Sequence, residues 1–567
     1  MNITRNQILL QFLPYFIFCF IGILFLLGCS VDDRYITLWA AKMLAEKGEI
    51  LNYNFQRFEQ SSSLFHTLLL ALIYKITETN IVTIGWFFSF FTGLLSIYQT
   101  GELVDFIQSK NPNKIQIKVH TQILLSLIPS FLYWSYAGLE TLLYTFLWLT
   151  LILSYLKNKN FLMLFFLLLL LIATRPEAIF VIVCLFFGII GIKFLFLKED
   201  YKKDICIILL AILAFAVITW VRWTYFGTYF PAPVSAKIGF NSNFTYKFYE
   251  GIMYVFKFLR LEFISFCMAI TLILNYLFVL FKKPNQLTLA NTLIFLFVVT
   301  IFANVVLSGG DWMEYLRFFV VIIPFLCCFF ISYIYNKQLK IIYFIYLFSL
   351  LNLLYFIKNT TSLTLFDFNE IVKQQPEFAE KYSFNELLSK EHLSDMKIID
   401  TLNQTLLHDS RKTISLMTGQ GGMVPFYVIP TIQKEQKKIK FIDIAGLVTD
   451  DFSKCNFLKD KLNPNQVGIG LRFGHLFPTD SITKRVKQKM NESSFYRYYL
   501  FKKNEIFNSC KIELPDYIYE IRPEFIEYSK NSGYKEVYRV DKNKPLIENS
   551  LLQSNVYSRG FVIKMPN

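Results

Sequence analysis

Apolar runs separated by short polar stretches dominate the first 357 residues of the chain. A helix that crosses a lipid bilayer needs about 20 mostly apolar residues. The runs that approach this length predict about eleven membrane-spanning helices, so the predicted fold class is a polytopic α-helical membrane protein. The predicted spans cover residues 8–28, 81–106, 119–135, 138–156, 160–174, 177–197, 205–226, 262–282, 288–307, 317–335 and 339–357.

One further apolar run, Leu64–Ile76, is too short to be counted as a span. Counting it would move every later lysine-rich loop away from the cytoplasmic side, which basic residues normally mark. We therefore predict an interfacial or re-entrant helix, in which His66 is an interfacial or internally bonded histidine rather than a ligand. The lysine-rich loops lie at residues 110–118, 157–159, 198–203, 282–283 and 337–340.

The charge density rises sharply after residue 357. Residues 358–567 carry 56 charged side chains, whereas the longer segment 1–357 carries 43. This shift predicts a membrane domain, 1–357, followed by an extracytoplasmic soluble α/β domain, 358–567. Its predicted strands are Ile414–Met417, Phe426–Ile429, Ile439–Ile444 and Tyr517–Ile521, and its main helix is Phe384–Leu407.

The composition supports a membrane protein, since 54% of the residues are hydrophobic, 17% are charged and the mean hydropathy is +0.41. The net charge of +15 does not indicate a nucleic-acid partner. Many basic residues lie in short loops, and the tail lacks a nucleic-acid-binding motif. The cysteines lack metal-ligand spacing, although Cys455 and Cys510 in the tail leave a disulfide open. No cofactor is indicated with certainty, and a divalent cation remains open.

Polar motifs of the membrane domain fall at helix ends on the predicted outer side. Ionisable groups at a membrane edge are costly unless they are paired or face a cavity, so these residues are candidates for a functional site. The candidates are Asp32, Asp33, Glu140, Arg175, Lys237, Asp311, Trp312 and Arg317.

Asp32 and Asp33 are adjacent carboxylates at the start of the first outer loop, residues 30–80. If both faced one cavity, their repulsion would raise one pKa and make that carboxylate a better base near neutral pH. In an extended segment they would instead point apart. The helical spacing of Tyr35–Gly48 also predicts that one of them caps a helix.

The stretch DDRYITLWAAKMLAEKGEILNYN (32–54), followed by FEQSSSLFHTLLLAL (58–72), resembles the first outer loop of C-superfamily (GT-C) glycosyltransferases. It is similar to a branch of bacterial cell-envelope proteins that includes the terminal arabinofuranosyltransferases. The resemblance continues in order along the chain. The further motifs are AGLETLLY (137–144), RPEAIF (175–180), YFGTYFPAPVSAK (225–237), GGDWMEYLRFFVVIIP (309–324), GQGGMVPFYVIP (419–430) and FIDIAGLVTD (441–450).

The resemblance implies transfer of a sugar from a polyprenyl-phosphate donor to a glycan or glycolipid acceptor of the cell envelope, such as lipopolysaccharide or cell-wall glycan. It implies a multi-pass protein of the bacterial inner membrane with a periplasmic tail. Asp33 or Asp32 would be the general base. Lys237, Arg175 and Arg317 would hold the donor phosphate. For the same reaction, Glu140 or Asp311 would lie near the reacting sugar carbon, where positive charge develops, and Trp312 would stack on the sugar ring.

Simpler interpretations of these residues stay open. Arg175 and Glu177 flank a proline and could pair with each other, and Glu140 could be a first-turn acid favoured by the helix dipole. Asp311 could have a positional role, and Trp312 could be an interfacial anchor. Two other function classes also stay open, a transporter or flippase of lipid-linked sugars and a non-enzymatic envelope assembly protein.

The predicted topology has a cytoplasmic N-terminus and an extracytoplasmic tail. We expect single cysteines introduced in the tail to react with an impermeant maleimide in intact spheroplasts. Cysteines in the loop 198–203 should react only after the membrane is opened, because lysine-rich loops stay in the cytoplasm. Tail cysteines that react only after opening would contradict the topology and the grouping of the polar motifs.

Overall fold

The computed structural model describes residues 5–234, 244–311, 313–335, 339–360, 362–374, 376–418, 421–443, 448–449, 515–520, 534–540 and 559–564. Helices dominate the described part of the first 360 residues. They are α1 Arg5–Phe25, α2 Asp33–Lys47, α3 Leu64–Thr77, α4 Ile81–Ile107, α5 Lys114–Leu125, α6 Pro129–Tyr136, α7 Thr141–Leu156, α8 Phe161–Thr174, α9 Ala178–Ile192, α10 Lys202–Phe226, α11 Phe244–Leu261, α12 Phe263–Lys282, α13 Leu289–Ser308, α14 Ile323–Tyr335 and α15 Leu339–Asn359. A π-helical turn, Lys193–Leu197, extends α9, and a 3₁₀ segment, Glu314–Ile322, precedes α14.

Seven helices of the described chain are long and apolar enough to cross a membrane. They are α4, α9 with its π-helical turn, α10, α12, α13, α14 with most of its 3₁₀ segment, and α15. The pair α5 and α6 passes the same test together, and α1, α3, α7 and α8 are shorter apolar helices. Every predicted span coincides with one of these elements, and α3 is the short helix that was not counted. The prediction of a polytopic α-helical membrane protein is confirmed.

Residues 119–135 were predicted as one continuous span, and this is wrong in detail. The structure has two helices, α5 and α6, which are bent by 69° at the break between them. Pro129 begins α6, because proline has no N–H group for a continuing helix. All residues of α6 are buried, so this helix lies inside the protein. The Glu262 carboxylate accepts the backbone N–H of Ser130 at 2.7 Å, which places an acid at the positive end of α6.

The sequence did not predict α11 as a helix. Glu250, Lys257 and Arg260 interrupt its apolar residues, so no window reaches the apolar content of a span. The helix nevertheless packs through its aromatic side chains. The ring of Phe258 lies 4.5 Å from the ring of Phe319 in the 3₁₀ segment. This contact secures one side of the segment that carries Arg317.

The tail is an α/β unit. Its described elements are α16 Phe368–Gln374, α17 Pro376–Lys381, α18 Phe384–Leu387, α19 Lys390–His408, β1 Thr413–Thr418, α20 Met423–Lys434, β2 Lys438–Asp443, β3 Tyr517–Glu520, β4 Tyr534–Val540 and β5 Arg559–Lys564. The described strands form one sheet in the order β2-β1-β3-β5-β4. Strand β1 runs parallel to β2 and β3, while β5 runs antiparallel to β3 and β4. Cys455 and Cys510 lie outside the described residues.

The predicted strand Phe426–Ile429 is wrong, because these residues lie in α20. A short apolar run has the same appearance in a buried strand and in a buried helix turn. The predicted helix Phe384–Leu407 is interrupted at Leu388 and Ser389, which separate α18 from α19. The other three predicted strands overlap β1, β2 and β3.

The tail packs against the chain between α1 and α2. The backbone N–H of Gly28, just after α1, donates to the Ser362 hydroxyl at 3.0 Å. A Cβ atom at Gly28 would overlap the carbonyl of Leu388, so only glycine fits this approach. The tail is therefore in contact with the chain just before the adjacent aspartates.

Candidate active site

Arg175 lies at the junction between α8 and α9. It follows α8 in an extended conformation, with φ −146° and ψ 115°, and is 6% exposed. Its Nη2 donates to Oε1 of Glu140 at 2.7 Å, and its Nη1 donates to Oε1 of Glu177 at 3.2 Å. Glu140 precedes α7 and is 4% exposed. The pairing of Arg175 with Glu177, which the sequence left open, is present, and the more deeply buried partner is Glu140.

Arg317 is held by a segment with an unusual backbone. The two preceding residues, Tyr315 and Leu316, have φ values of 57° and 59°, in the left-handed region that side chains disfavour. Such residues cost about 1–3 kcal/mol each and persist where the surroundings fix them. Here Trp134 Nε1 donates to the Tyr315 carbonyl at 2.7 Å. The strained turn directs Arg317 inward, where its Nη2 lies 2.8 Å from Oδ2 of Asp311.

The two arginines are neighbours across one aromatic ring. The guanidinium carbons of Arg175 and Arg317 each lie 5.3 Å from the centroid of the Phe318 ring, within cation–π range. We call Glu140, Arg175, Asp311 and Arg317 the outer cluster. Four of the predicted site residues are thus brought together by helix ends that are far apart in sequence.

Several buried polar atoms around the outer cluster have no hydrogen-bond partner in the described structure. They are Nε of Arg175, Nε of Arg317, the hydroxyl of Thr141 and both ring nitrogens of His66. More than nine in ten buried polar groups in proteins are bonded, so this concentration is unusual. A polar ligand bound beside the cluster would satisfy such atoms.

One of the two alternatives expected for His66, an internally bonded side chain, is wrong. The side chain is fully buried, its ring lies 5.4 Å from the ring of Phe88, and neither ring nitrogen has a hydrogen-bond partner among the described residues. The apolar run around it gave no sign that α3 would be buried beside Glu140.

The charges of this region do not favour an anion by themselves. Glu140, Glu177 and Asp311 contribute three negative charges, while Arg175 and Arg317 contribute two positive charges. The carboxylates suit a site where positive charge develops on a ligand. Binding of a phosphate would need a further cation. The predicted cation Lys237 and the predicted stacking residue Trp312 lie outside the described residues.

Asp32 stands at the N-cap position of α2, as was predicted for one of the two aspartates, but its side chain makes no capping hydrogen bond there. Instead its Oδ2 accepts the backbone N–H of Gly422 at 3.0 Å, and its Oδ1 accepts that of Met423 at 2.7 Å. The carboxylate therefore caps α20 of the tail, where the helix dipole favours negative charge. A Cβ atom at Gly422 would overlap Asp32, which explains the glycine.

Next to Asp32, a buried polar network joins α2 to the tail. Arg34 is 1% exposed, donates to the Tyr35 hydroxyl at 2.9 Å and lies 4.0 Å from Glu386. The hydroxyls of Tyr35 and Tyr427 both donate to the Glu386 carboxylate. Burial raises the pKa of Tyr35 well above its usual value, so its hydroxyl keeps the proton that it donates. Asp33, between Asp32 and Arg34, is half-buried at the start of α2.

Residues 32–34, which we call the aspartate loop, lie next to the outer cluster at Gly138. This residue has φ +80°, and a Cβ atom there would lie 3.3 Å from Cδ of Arg34. Two residues later the chain reaches Glu140 of the outer cluster. The turn 138–140 therefore contacts Arg34 through Gly138 and contributes Glu140 to the outer cluster.

Three important charged residues were missed by the sequence analysis. Glu59 and Arg222 form a buried pair, with Arg222 Nε 2.9 Å and 3.1 Å from the two carboxylate oxygens. The signal was present, since Arg222 is a single charge inside an apolar run. Glu386 belongs to a capping box with Ser383, a pattern that is visible in sequence. The contact of Glu386 with α2 cannot be seen in the sequence.

A cavity of about 520 Å³ lies at the opposite helix ends, away from the outer cluster. It is lined by Gln108, Leu156, Asn275 and Ser332 among others, on the side predicted to be cytoplasmic. No group of three or more His, Cys, Asp or Glu side chains in the described residues could hold a metal ion.

The chain was compared with known families and structures. No family model matches it, and no curated protein matches it significantly. The crystal structure of ArnT from Cupriavidus metallidurans bound to undecaprenyl phosphate is similar over 100% of both chains, with 10% identity and a TM-score of 0.51. The chain has a GT-C-like fold. Two other solved structures give lower scores.

They are the Archaeoglobus fulgidus oligosaccharyltransferase in complex with Zn and sulfate, and ArnT of Cupriavidus metallidurans in the apo state. The first is 10% identical, covers 92% of this chain and 69% of that chain, and has a TM-score of 0.45. The second is 9% identical, covers 99% of this chain and 98% of that chain, and has a TM-score of 0.44.

The Arg175–Glu140 pair gives a test of the outer cluster that is independent of function. Arg175→Met leaves a buried carboxylate without its main partner, which costs about 3–5 kcal/mol in comparable pairs. We expect a lower unfolding temperature of the purified protein in detergent. The double variant Arg175→Met/Glu140→Gln should recover part of the loss, because it removes the unpaired charge.

The matched control is Lys159→Met, which removes an exposed lysine at the opposite helix ends. It should unfold at the wild-type temperature. If Arg175→Met also unfolds at the wild-type temperature, the buried pair does not hold these helix ends together.

Proposed function

We propose that this protein is a membrane glycosyltransferase that transfers a sugar from a polyprenyl-phosphate donor to a glycan or glycolipid acceptor. The observation that carries the proposal is the outer cluster, in which two buried arginines lie beside buried carboxylates in a GT-C-like fold. The ArnT structure of the same fold contains undecaprenyl phosphate. That ligand suggests the chemical class of the donor for this chain.

In this proposal Lys237 acts with Arg175 and Arg317 on the donor phosphate. Each described arginine is already paired with a carboxylate, so it contributes directed N–H groups rather than net charge. The Nε atoms of both arginines have no hydrogen-bond partner among the described residues and are available for phosphate oxygens. Lys237 then supplies the uncompensated positive charge that the leaving group needs.

The carboxylates of the outer cluster would act on the sugar. Cleavage of a glycosyl phosphate passes through an oxocarbenium-like state with positive charge on the sugar ring. Glu140 and Asp311 are nearly fully buried, and their negative charge would stabilise this state in a poorly solvated site. Trp312 is proposed to stack on the ring.

We assign the general base to Asp33. Both carboxylate oxygens of Asp32 accept backbone N–H groups of the tail, so Asp32 is better suited to positioning the loop. The Asp33 carboxylate takes the proton of an acceptor hydroxyl as the acceptor oxygen bonds to the anomeric carbon. The bond from that carbon to the phosphate oxygen breaks, and polyprenyl phosphate leaves with the electron pair.

The finer assignment rests on the order of motifs along the sequence. We propose membership of the branch similar to the terminal arabinofuranosyltransferases, whose motifs recur from residue 32 to residue 450. The sugar is then a pentose or hexose, and the acceptor is a cell-envelope glycan such as lipopolysaccharide or cell-wall glycan. The protein would lie in the bacterial inner membrane with its tail in the periplasm.

The Asp pair tests the catalytic assignment. Asp33→Asn keeps the size of the side chain but removes the basic carboxylate, so we expect transfer from polyprenyl-phosphate sugars to slow on the order of 10²–10⁴-fold. Asp32→Asn should retain more activity and lose about 1 kcal/mol of stability, because one accepting oxygen of the α20 cap is replaced by a donor. Turnover is measured with both purified variants, and the stability of Asp32→Asn is measured by thermal unfolding.

The outcomes separate the competing classes. If both variants keep near-normal turnover, the catalytic assignment is wrong. If wild-type protein moves lipid-linked sugar across vesicle membranes without transfer, it is a transporter or flippase. Binding without transfer or movement would indicate an assembly protein. An inactive Asp32→Asn with an active Asp33→Asn would exchange the two roles.

Lys237 and the paired arginines test donor binding. We expect Lys237→Met to weaken affinity for the donor by about tenfold or more, and Arg175→Met to weaken it less, because Arg175 is already charge-compensated. The apparent KM for the acceptor should change little. Lys159→Met is again the control. Unchanged donor affinity in both Lys237→Met and Arg175→Met would remove these cations from the site.

A further inference from the structure

The tail contains a polar groove between α17, α19 and α20. Its volume is about 680 Å³, within the range of small-ligand sites. One face of α19 forms its floor, and α17 and Thr431 of α20 form its walls. We call it the tail groove. Its principal polar lining residues are Lys381, Lys397, Asp400, Asn403, Gln404 and Thr431.

Asn403 is the most informative residue of the tail groove. It is 4% exposed, yet its Nδ2 and Oδ1 atoms are both buried and have no hydrogen-bond partner in the described part of the chain. A side-chain amide has two donors and an acceptor, and buried amides are nearly always bonded. A leucine has a similar size and would avoid the unsatisfied atoms. The asparagine therefore indicates a ligand that both accepts and donates hydrogen bonds.

The lining of the groove limits the chemistry of that ligand. Two acids, Glu377 and Asp400, balance two bases, Lys381 and Lys397, so the groove has no excess charge for a phosphate or polyanion. Its apolar members, Phe378 and Leu407, are too few for an apolar helix groove. Amide, hydroxyl and paired charged groups together match the hydroxyls of an uncharged sugar.

The tail groove is connected to the aspartate loop by direct contacts. The Tyr382 hydroxyl donates to Asp400 at 3.3 Å, and the Tyr382 ring lies 4.8 Å from the Tyr427 ring. Tyr427 donates to Glu386 at 2.7 Å, and Tyr35 of α2 donates to the same carboxylate. The groove thus has a fixed position relative to the start of α2, where Asp33 lies.

We propose that the tail groove binds a neutral sugar segment of the glycan acceptor, at a distance from the sugar that is being extended. The proposal rests on the proposed function for the identity of this glycan as the acceptor. The binding itself depends only on the groove. The proposal gives the tail a role in selecting acceptors that are long enough to occupy both the tail groove and the candidate active site.

Binding is tested with the full-length protein in nanodiscs on an array of neutral, acidic and phosphorylated bacterial oligosaccharides and of peptides. We expect the wild-type protein to bind neutral oligosaccharides. Asn403→Leu should weaken this binding about tenfold or more, and it should raise the unfolding temperature, because the unsatisfied amide is gone. Gln404→Ala changes an exposed groove residue and should weaken binding without affecting folding. Lys440→Ala, an exposed residue of β2, is the control.

The outcomes distinguish the two proposals. If Asn403→Leu removes binding of neutral glycans and the wild-type protein has no transferase turnover, the result supports ligand binding in the tail groove and contradicts the proposed function. If the wild-type protein has transferase turnover and neither Asn403→Leu nor Gln404→Ala changes the KM for the acceptor, the result supports the proposed function and contradicts acceptor binding in the tail groove. Wild-type binding only to acidic glycans, phosphorylated glycans or peptides would overturn the groove, as would no binding to the array.

Discussion

Buried arginines need anionic partners, and this constraint organises the helix ends around the outer cluster. An unpaired ion taken out of water costs several kcal/mol, so each buried arginine is matched by a carboxylate from another element. Arg175 meets Glu140, Arg317 meets Asp311 and Arg222 meets Glu59. These pairs hold together helix ends and loops that are distant in sequence. They also leave directed N–H groups beside an aromatic ring, where we propose a ligand site.

The same constraint connects the tail to the membrane part. Asp32 satisfies the exposed N–H groups at the start of α20, and Arg34 lies near Glu386 in a network closed by tyrosine hydroxyls. The tail is therefore attached through the residues that flank Asp33. A displacement of the tail would therefore alter the contacts of Asp32 and Arg34 at the start of α2. This arrangement gives a physical reason for one chain to contain both parts.

Much of the fold could be predicted from sequence because it depends on local composition. A run of about 20 apolar residues has few alternatives to a membrane helix, and the predicted spans fall on apolar helices. The short run Phe426–Ile429 has no such constraint, and it became part of a helix. Pro129 was a signal for the helix break in the sequence, but the apolar residues on both sides favoured the prediction of one continuous span.

The candidate site was predictable in its membership and not in its contacts. Glu140, Arg175, Asp311 and Arg317 were found because charges are rare at the ends of apolar runs. The contacts of the Asp32 carboxylate are with Gly422 and Met423, which lie almost 400 residues away in sequence. His66 was misjudged because burial beside the outer cluster depends on how α3 packs. Periodicity along one helix does not contain that information.

The central claim is that the outer cluster receives the phosphate of a polyprenyl-phosphate sugar. Cryo-electron microscopy of the full chain in nanodiscs with a non-cleavable polyprenyl phosphonate sugar tests this directly. The account predicts density for the phosphonate within hydrogen-bond distance of Arg175 or Arg317, with the sugar beside Glu140 or Asp311. Phosphonate density in the cavity at the opposite helix ends, with none at the outer cluster, would contradict it.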